Sequence, residues 1–531
     1  MTARAALSPV DVFDALVGVD SRPVSAAAGA EMGQAVDLLA GMLGAQVLSE
    51  HVPTPSPAFT ADPGGVTGRV SRADFANWFD LVGRTAQGCA RPVRLSGGSV
   101  TVNPRTGELV ESFTTADLPD AVLYKPCGSR LASVCPSCAQ TYRYDTYQLI
   151  AAGMRGGKGV PESVAAHPAV FVTFTAPSFG VVHSANLDRR TRRVRPCRPR
   201  RDRPVCKHGK PMSCPQRHHQ GDPCIGTPMC LDCYDHDRQV AFNAFAPKLW
   251  TRTIDALRPA LRRIAKDTGT PVKLRYAKVA EFQARGVIHL HAIFRLDGYN
   301  PDDPESVLPP PSSLTADDVT ALIRHAARTT AVASPPHPDR PEGWPLAWGE
   351  QLDTRTIHTG IEGEQITEQH VAGYLAKYAT KSTETVGGIC ARLTHDPHSL
   401  RRMRTRTDTH LGRLLDACWR LGRDDAEGYD RLRPKAHMLG FSGHFSTKSR
   451  RYSTTLGKLR AARRPSARAG VRVIRPAEFD TAEHLDDEST LVIDGQWAYQ
   501  GSGWLTLADA ALANASAAAA RERRPAFTAA V

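Results

Sequence analysis

Lysine is scarce in this chain, 13 residues against 54 arginines, and no run of residues is both long and apolar. The longest apolar-leaning stretch, Ala35 to Leu48, falls far short of the roughly 20 residues that cross a bilayer, which argues against a membrane partner. The opening MTARAALSPV has no charged, apolar and small-residue leader pattern, so a cytosolic, reducing location is expected. The phosphate-cradling sequence G-x-x-x-x-G-K-[ST] is missing, so no P-loop ATPase activity is expected of the chain. What is present is a globular balance, 41% hydrophobic and 23% charged residues over 531 positions. That length corresponds to roughly three or four domains at about 150 residues each.

The formal charge of +13 is unevenly distributed. Residues 1–120 hold 8 basic and 13 acidic side chains, whereas residues 121–240 hold 18 basic and 8 acidic ones. A phosphate-binding surface is therefore expected after the first 120 residues. Arginine suits that role through its bidentate geometry.

Nine of the twelve cysteines fall between Cys127 and Cys233, and clustered cysteines in a reducing compartment read as metal ligands before disulfides. The pairs Cys135-x-x-Cys138 and Cys230-x-x-Cys233 each look like half of a structural Zn²⁺ site, together supplying four thiolates. Cys206, His208, Cys214, His218 or His219, and Cys224 suggest a second site. Cys127 and Cys197 then stay unassigned, while Cys89, Cys390 and Cys418 stand isolated.

Periodicity and punctuation place the elements. Residues 1–115 read as a separate acidic region with a helix near Glu31–Leu48 and a Pro/Gly-rich link from Pro53 to Gly68. A Cys-containing segment, 116–165, leads into a core at 166–385 that is interrupted by the Cys/His-rich insertion 188–236. The apolar, β-branched run from His167 to Thr175 reads as a buried strand, and Asp237 to Lys266 as a long amphipathic helix. Val272–Gln283 and Val287–Leu296 read as a hairpin with Gly286 in the turn. Helices near Thr315–Thr330 and Thr367–Lys381 flank a strand near Leu352–His358. The order suggests an α+β fold, an antiparallel sheet backed by helices, with mostly helical regions at either end. Residues 386–508 form a basic C-terminal region, and the Ala-rich stretch 509–531 is expected to be a flexible tail.

Two patterns carry chemistry. His289-Leu-His291 lies in the second hairpin strand, and alternation puts both imidazoles on one face. Glu281 and Gln283 are two apart in the first strand, so the turn brings them to the same face as the histidines. With 19 histidines in the chain, an H-x-H pair arises about 0.7 times by chance, and the convergent oxygen donors are what give it weight. Two imidazoles with Glu281 or Gln283 make a three-ligand site with open positions, suited to a divalent ion that also binds substrate.

The second pattern is Tyr374-x-x-Lys377-Tyr378-x-x-Lys381. At 100° per residue these four side chains share an arc of about 100°, while Ala372, Leu375, Ala376 and Ala379 face away from them. Tyrosine, with a pKa near 10, is a poor nucleophile unaided. A metal that polarises a phosphodiester, with lysine stabilising the developing charge, supplies the help. The plainer alternative is a boundary helix whose Tyr and Lys tips reach water.

The strand Phe171-Val-Thr-Phe-Thr175, the run from Glu281 to His291 and the helix from Tyr374 to Lys381 occur in the order of the three motifs of HUH endonucleases that initiate rolling-circle replication, which the chain resembles. The tandem tyrosines look most like the branch of small single-stranded DNA phage replication proteins. Cys135-Pro-Ser-Cys138, residues 175–180 and residues 443–455 further resemble replication initiators of actinobacterial plasmids and integrative elements. The resemblance implies His289 and His291 as ligands of Mg²⁺ or Mn²⁺ with Glu281 or Gln283 third, Tyr374 and Tyr378 as nucleophiles, and Lys377 and Lys381 assisting. It also implies a nicked plasmid origin, a 5′-phosphotyrosine link, a 3′-OH primer, and a host helicase and replication machinery as partners. The Cys/His-rich insertion departs from minimal cores of this family.

Two basic segments complete the reading. Nine arginines between Arg189 and Arg203, among them Arg190, Arg192, Arg193 and Arg195, suit phosphate tracking or form a solvated loop. From Lys435 to Arg464 eight cations, including Lys448, Arg450 and Arg451, are interleaved with Phe441, Phe445 and Tyr452. Aromatics among cations suggest a platform for unpaired bases, with a solvated basic surface as the alternative. Two other functions fit parts of the pattern: a tandem-tyrosine transposase or conjugative relaxase, and a non-catalytic zinc-containing DNA-binding regulator.

Overall fold

The computed structural model describes residues 64–103, 109–188, 190–191, 193–219, 221–358, 367–380, 407–461, 472–474 and 490–523. The chain divides into two compact units, Met1–Ala139 with Ser466–Phe527, and Gln140–Pro465 with Thr528–Val531. In chain order, α1 (Gly65–Val70), α2 (Phe75–Ala86), β1 (Val93–Val102), β2 (Leu109–Thr114) and β3 (Leu123–Lys125) precede α3 (Pro136–Arg155). Next come β4 (Ala169–Phe174), β5 (Asn186–Leu187), β6 (Val194–Arg195), α4 (His236–Thr268), β7 (Val272–Phe282), β8 (Ile288–Asn300) and β9 (Asp303–Leu308). They are followed by α5 (Ala316–Thr329), β10 (Ala331–Ala333), β11 (Pro345–Ala347), β12 (Leu352–Thr356), α6 (Glu368–Tyr378), α7 (His410–Leu421) and β13 (Ser446–Lys448). Last are α8 (Leu456–Ala461), β14 (Arg472–Ile474), β15 (Thr490–Ser502) and α9 (Leu507–Arg523). The α+β expectation holds, and no helix among the described residues is long and apolar enough to cross a membrane.

The first unit differs from the expected helical ends. Its sheet runs β14-β15-β1-β2 with β3 against β1, and β1 pairs with β15 from Val93↔Ser502 to Val102↔Val492. Described residues from both ends, in 64–125 and 490–523, are thus one folded body, and the boundaries expected at 115 and 509 fall inside it. The Ala-rich stretch is helix α9, with Ala510 and Ala513 packed in a core with Trp78, Tyr124 and Trp504. Small side chains let α9 approach closely, and burial against aromatics stabilises a helix that its weak amphipathicity does not announce. Buried Arg69 reaches Asp120 at 2.8 Å and Asp509 at 3.0 Å, and its guanidinium lies 4.2 Å from the Trp78 ring. The expected helix at Glu31–Leu48 and link residues 53–63 lie outside the described residues, whereas Gly65–Gly68 open α1. The region expected at 386–508 is split: residues up to Pro465 belong to the second unit and those from Ser466 to the first.

In the second unit the sheet order is β12-β4-β8-β7-β13, with β9 on β8, and every pairing is antiparallel. Strict alternation sorts its side chains. Val170, Val172 and Phe174 on β4, Ala280 and Phe282 on β7, and Ile288, Leu290, Ala292, Phe294 and Leu296 on β8 belong to the larger core with α4, α5 and α7. Ala169 and Phe171, Ala277 and Val279, and Ile293 belong to the opposite face, covered by Ile150, Ala151 and Met154 of α3, by Val371, Ala372 and Leu375 of α6, and by Ala379, which caps it. His289 and His291 are odd-numbered like Ile293, so period 2 sends them to the α6 side.

That face also carries a buried ionic anchor. Asp297 receives both Nε and Nη2 of Arg295 at 2.7 Å and lies 2.8 Å from His167 Nδ1. Arg295 also donates to the carbonyls of Gly153 and Tyr452, tying α3 and the 446–453 segment to the sheet.

Helix α4 fixes the hairpin tip from the other side. It is capped by Asp235, whose side chain accepts from Arg238 N, and ends at Gly269 with φ +70°. From it, Gln239 donates to Arg285 O at 2.9 Å, while Asn243 donates to Gly286 O at 3.0 Å and accepts from Ile288 N at 2.9 Å. Gly286 has φ +77°, and a Cβ there would sit 2.8 Å from Leu439 Cδ1. Both the left-handed backbone and the close packing call for glycine.

Candidate active site

The hairpin closes through Gly286 N donating to Gln283 O at 2.8 Å, which sets Glu281 opposite His289. Glu281 Oε2 then lies 3.3 Å from His291 Nε2, diagonally across the pair of strands. On its other side His291 Nδ1 is 3.1 Å from Thr173 Oγ1, and its ring stacks on Phe171 with centroids 5.8 Å apart. The Gln283 amide lies 3.1 Å from His289 Nδ1, and its Oε1 accepts from Arg285 Nε at 3.0 Å. Burial, with His291 and Arg285 adding to it, pushes His289 down to about 3. A neutral imidazole keeps the lone pair that a metal ion needs.

Helix α6 starts at Thr367, whose side chain accepts from His370 N, and its apolar side packs on the sheet. The opposite side carries Tyr374, with its ring edge-on to His291 at 5.1 Å, and Tyr378 at 5.4 Å from the same imidazole. The two phenol rings are 4.4 Å apart. Glu281, Gln283, His289, His291 and Tyr374 line one open pocket of about 350 Å³. Burial, then neighbouring Tyr378, raises the Tyr374 phenol above its usual range, so the bare protein keeps it protonated and its ionisation needs a nearby positive charge. Lys377 is exposed, and Lys381 lies outside the described residues.

The cysteines gather differently from the expected pairing. Cys135 and Cys138 join Cys89 and Cys127, whereas Cys230 and Cys233 join Cys206 and His208. A third group is His183, Cys197, Cys214 and His218, with Cys224 Sγ 3.3 Å from His218 Nδ1. Cys206 and His208 therefore do not share a site with Cys214 and Cys224. Cys89 and His183 gave no local signal, and Cys127 and Cys197 stood in the cysteine cluster without a C-x-x-C partner to assign them.

The basic segments also need correction. Tyr452 is fully buried: its hydroxyl donates to Ile150 O at 3.2 Å, and Gly153 leaves room for its ring. Phe441 and Phe445 are core residues too, so this segment offers no aromatic platform for bases. Lys448 donates to the carbonyls of Arg450 and Ser453 at 3.2 and 2.8 Å, and Arg451 pairs with Glu305 at 2.8 Å. Arg450 is exposed, as are Arg190, Arg193 and Arg195 around the β5–β6 hairpin. Arg195 is paired with Asp188, and Arg189 and Arg192 lie outside the described residues.

Residues 74–518 match the family model described as replication initiator protein, pSAM2. The chain belongs to this replication initiator family. A Streptomyces ambofaciens replication initiator protein is 39% identical over 452 residues, covering 82% of this chain and 88% of the relative. No solved structure matches the chain. The span matched by the replication initiator family takes in the hairpin, the tyrosine helix, all three Cys/His groups and most of α9, so the first unit is part of what defines the family. Sequence reasoning missed Thr173, whose signal was available: it is two residues beyond Phe171, on the strand face that meets His291.

Proposed function

We propose that this replication initiator binds origin DNA and nicks one strand there by the chemistry of HUH endonucleases. The observation that carries the reading is the approach of both phenol rings to the His291 imidazole, beside Glu281 and His289, with Tyr374 lining the open pocket that these residues share. The donor set fits a divalent ion: two histidines, one of them held neutral, and a carboxylate 3.3 Å from an imidazole nitrogen. His289, His291 and Glu281, with Gln283 adjacent, would hold Mg²⁺ or Mn²⁺. Such an ion supplies Lewis-acid polarisation of a phosphate oxygen and lowers the cost of a nearby phenolate.

The protein's own groups do the rest. Tyr374 or Tyr378 Oη attacks the phosphorus of a phosphodiester and loses its phenolic proton. The bond from phosphorus to the 3′ oxygen breaks, and that oxygen takes up a proton to become the 3′-OH that primes synthesis. The 5′ phosphate remains esterified to the tyrosine. Because one ester replaces another, no external energy source is needed. The second tyrosine, one helical turn away, can attack a second phosphodiester at the same pocket. Thr173 holds the His291 ring through Nδ1, and Lys377 on the exposed surface of α6 is placed to meet backbone phosphate. Arg190 and Arg193 on the insertion suit further phosphate contacts. Family membership supports initiation over transposition or conjugative transfer, which share this chemistry.

The test is incubation of the full chain with Mn²⁺ and a labelled single-stranded origin oligonucleotide, followed by denaturing electrophoresis. A covalent adduct is expected, and Tyr374→Phe with Tyr378→Phe together should remove it. An adduct of undiminished yield in that double variant would refute the assignment.

A further inference from the structure

We infer that the protein holds three structural zinc ions, one each at Cys89/Cys127/Cys135/Cys138, Cys206/His208/Cys230/Cys233 and His183/Cys197/Cys214/His218. In each group the four donor atoms lie within 4.8 Å of one another. A tetrahedral ion with Zn–S near 2.3 Å has S···S edges of about 3.8 Å, and with Zn–N near 2.0–2.1 Å its S···N edges are about 3.6 Å. Cys89 Sγ and Cys135 Sγ are 3.8 Å apart. His208 Nδ1 lies 3.3 Å from Cys233 Sγ and 3.6 Å from Cys230 Sγ, and Cys214 Sγ lies 3.4 Å from His218 Nε2. A disulfide needs about 2.05 Å between sulfurs, and every one of these cysteines is free.

Backbone amides point at the sulfurs, as expected where the ligand is a thiolate. Ala90 N and Cys127 N approach Cys135 Sγ and Cys89 Sγ at 3.2 Å, and Ser184 N approaches Cys197 Sγ at 3.3 Å. Such donors orient the ligands and offset the negative charge that four thiolates bring.

The insertion also lacks any other centre. Among the described residues between Val181 and Cys233, the only buried ones besides Gly226 and Pro228 are Cys197, Cys214, His218 and Cys230. Among the same described residues the regular structure is one pair of two-residue strands, β5 and β6. A segment of about 50 residues with no apolar core does not hold a fold by burial alone, and metal binding supplies the missing free energy. The inference does not depend on the nicking chemistry.

Elemental analysis of the full chain, purified without chelator and desalted, should give three zinc ions per chain. Cys135→Ser, Cys214→Ser and Cys230→Ser should each reduce the count by one, and Cys135→Ser with Cys230→Ser should leave one. A wild-type count below three overturns the inference without any variant. So does a double variant that loses a single ion, because the two pairs would then share one site. Replacing the zinc by Co²⁺ gives a second readout on the unaltered chain. Intense thiolate charge-transfer and tetrahedral ligand-field absorption are expected, and their absence would also overturn the assignment.

Discussion

Tyr452 separates two physical accounts of the 435–464 segment. If its ring stacked on unpaired bases, Tyr452→Ala would cost about 1–3 kcal/mol of single-strand affinity and leave folding untouched. The structure places the ring fully buried, against Ala and Ile side chains of α3, with Gly153 beneath it and the Arg295 guanidinium 5.3 Å from its centroid. Removing a buried aromatic ring costs about 3–5 kcal/mol, the transfer term plus the cavity left behind. For a unit of about 330 residues, with an unfolding entropy of about 2.1 cal/mol/K per residue, that is a fall in Tm of about 4–7 °C. Tyr452→Phe keeps the ring and loses the 3.2 Å hydrogen bond to Ile150 O, for about 1 kcal/mol. Calorimetry and fluorescence titration with single-stranded DNA measure both quantities. An alanine variant with unchanged Tm and weakened DNA binding would refute the burial argument.

The remaining predictions concern other regions. His236 Nε2 and His410 Nδ1 are 3.1 Å apart, and burial first, with mutual repulsion on His236, pushes them down to about 3 and about 4. The unfolded chain takes up these protons near 6.5 and the folded chain does not, so their contribution is complete above that pH and is lost as the pH falls toward 4. Denaturant midpoints should drop between pH 7 and pH 4.5 by the equivalent of a few kcal/mol, less steeply in His410→Gln; a flat profile would contradict the burial of a neutral pair. Truncation before Leu507 should expose Trp78 and strand Arg69 without Asp509, giving a red-shifted tryptophan emission and rapid proteolysis of 64–125, whereas a free tail would leave both unchanged. The covalent adduct and the zinc count are the other two tests.

How much of this was legible in the sequence depended on range. The hairpin was readable because β-sheet alternation and the Gly286 turn are local, and they set Glu281, Gln283, His289 and His291 on one face before any tertiary information enters. The tyrosine helix was readable for the same reason: a 3.6-residue period separates Tyr374 and Tyr378 from Leu375 and Ala379. Neither pattern says that these two faces meet. That follows only from α6 packing on the β4–β8–β7 face, which is a matter of which apolar surfaces cover each other.

The failures were all long-range. Cys89 is 46 residues from Cys135, and nothing in spacing favours it over Cys230 as a partner. Aromatics interleaved with cations look alike whether the rings face solvent or a core, and only the vacancy at Gly153 decides for Tyr452. The alanine stretch is helix-prone by itself, but its burial requires β15 to pair with β1 some 400 residues earlier. Sequence alone determined the periodic elements and the chemistry they display, because periodicity is a property of consecutive residues. The tertiary structure decided the ligand sets, the composition of the first unit and which aromatics are core, because those depend on contacts whose free energy is shared between segments far apart in the chain.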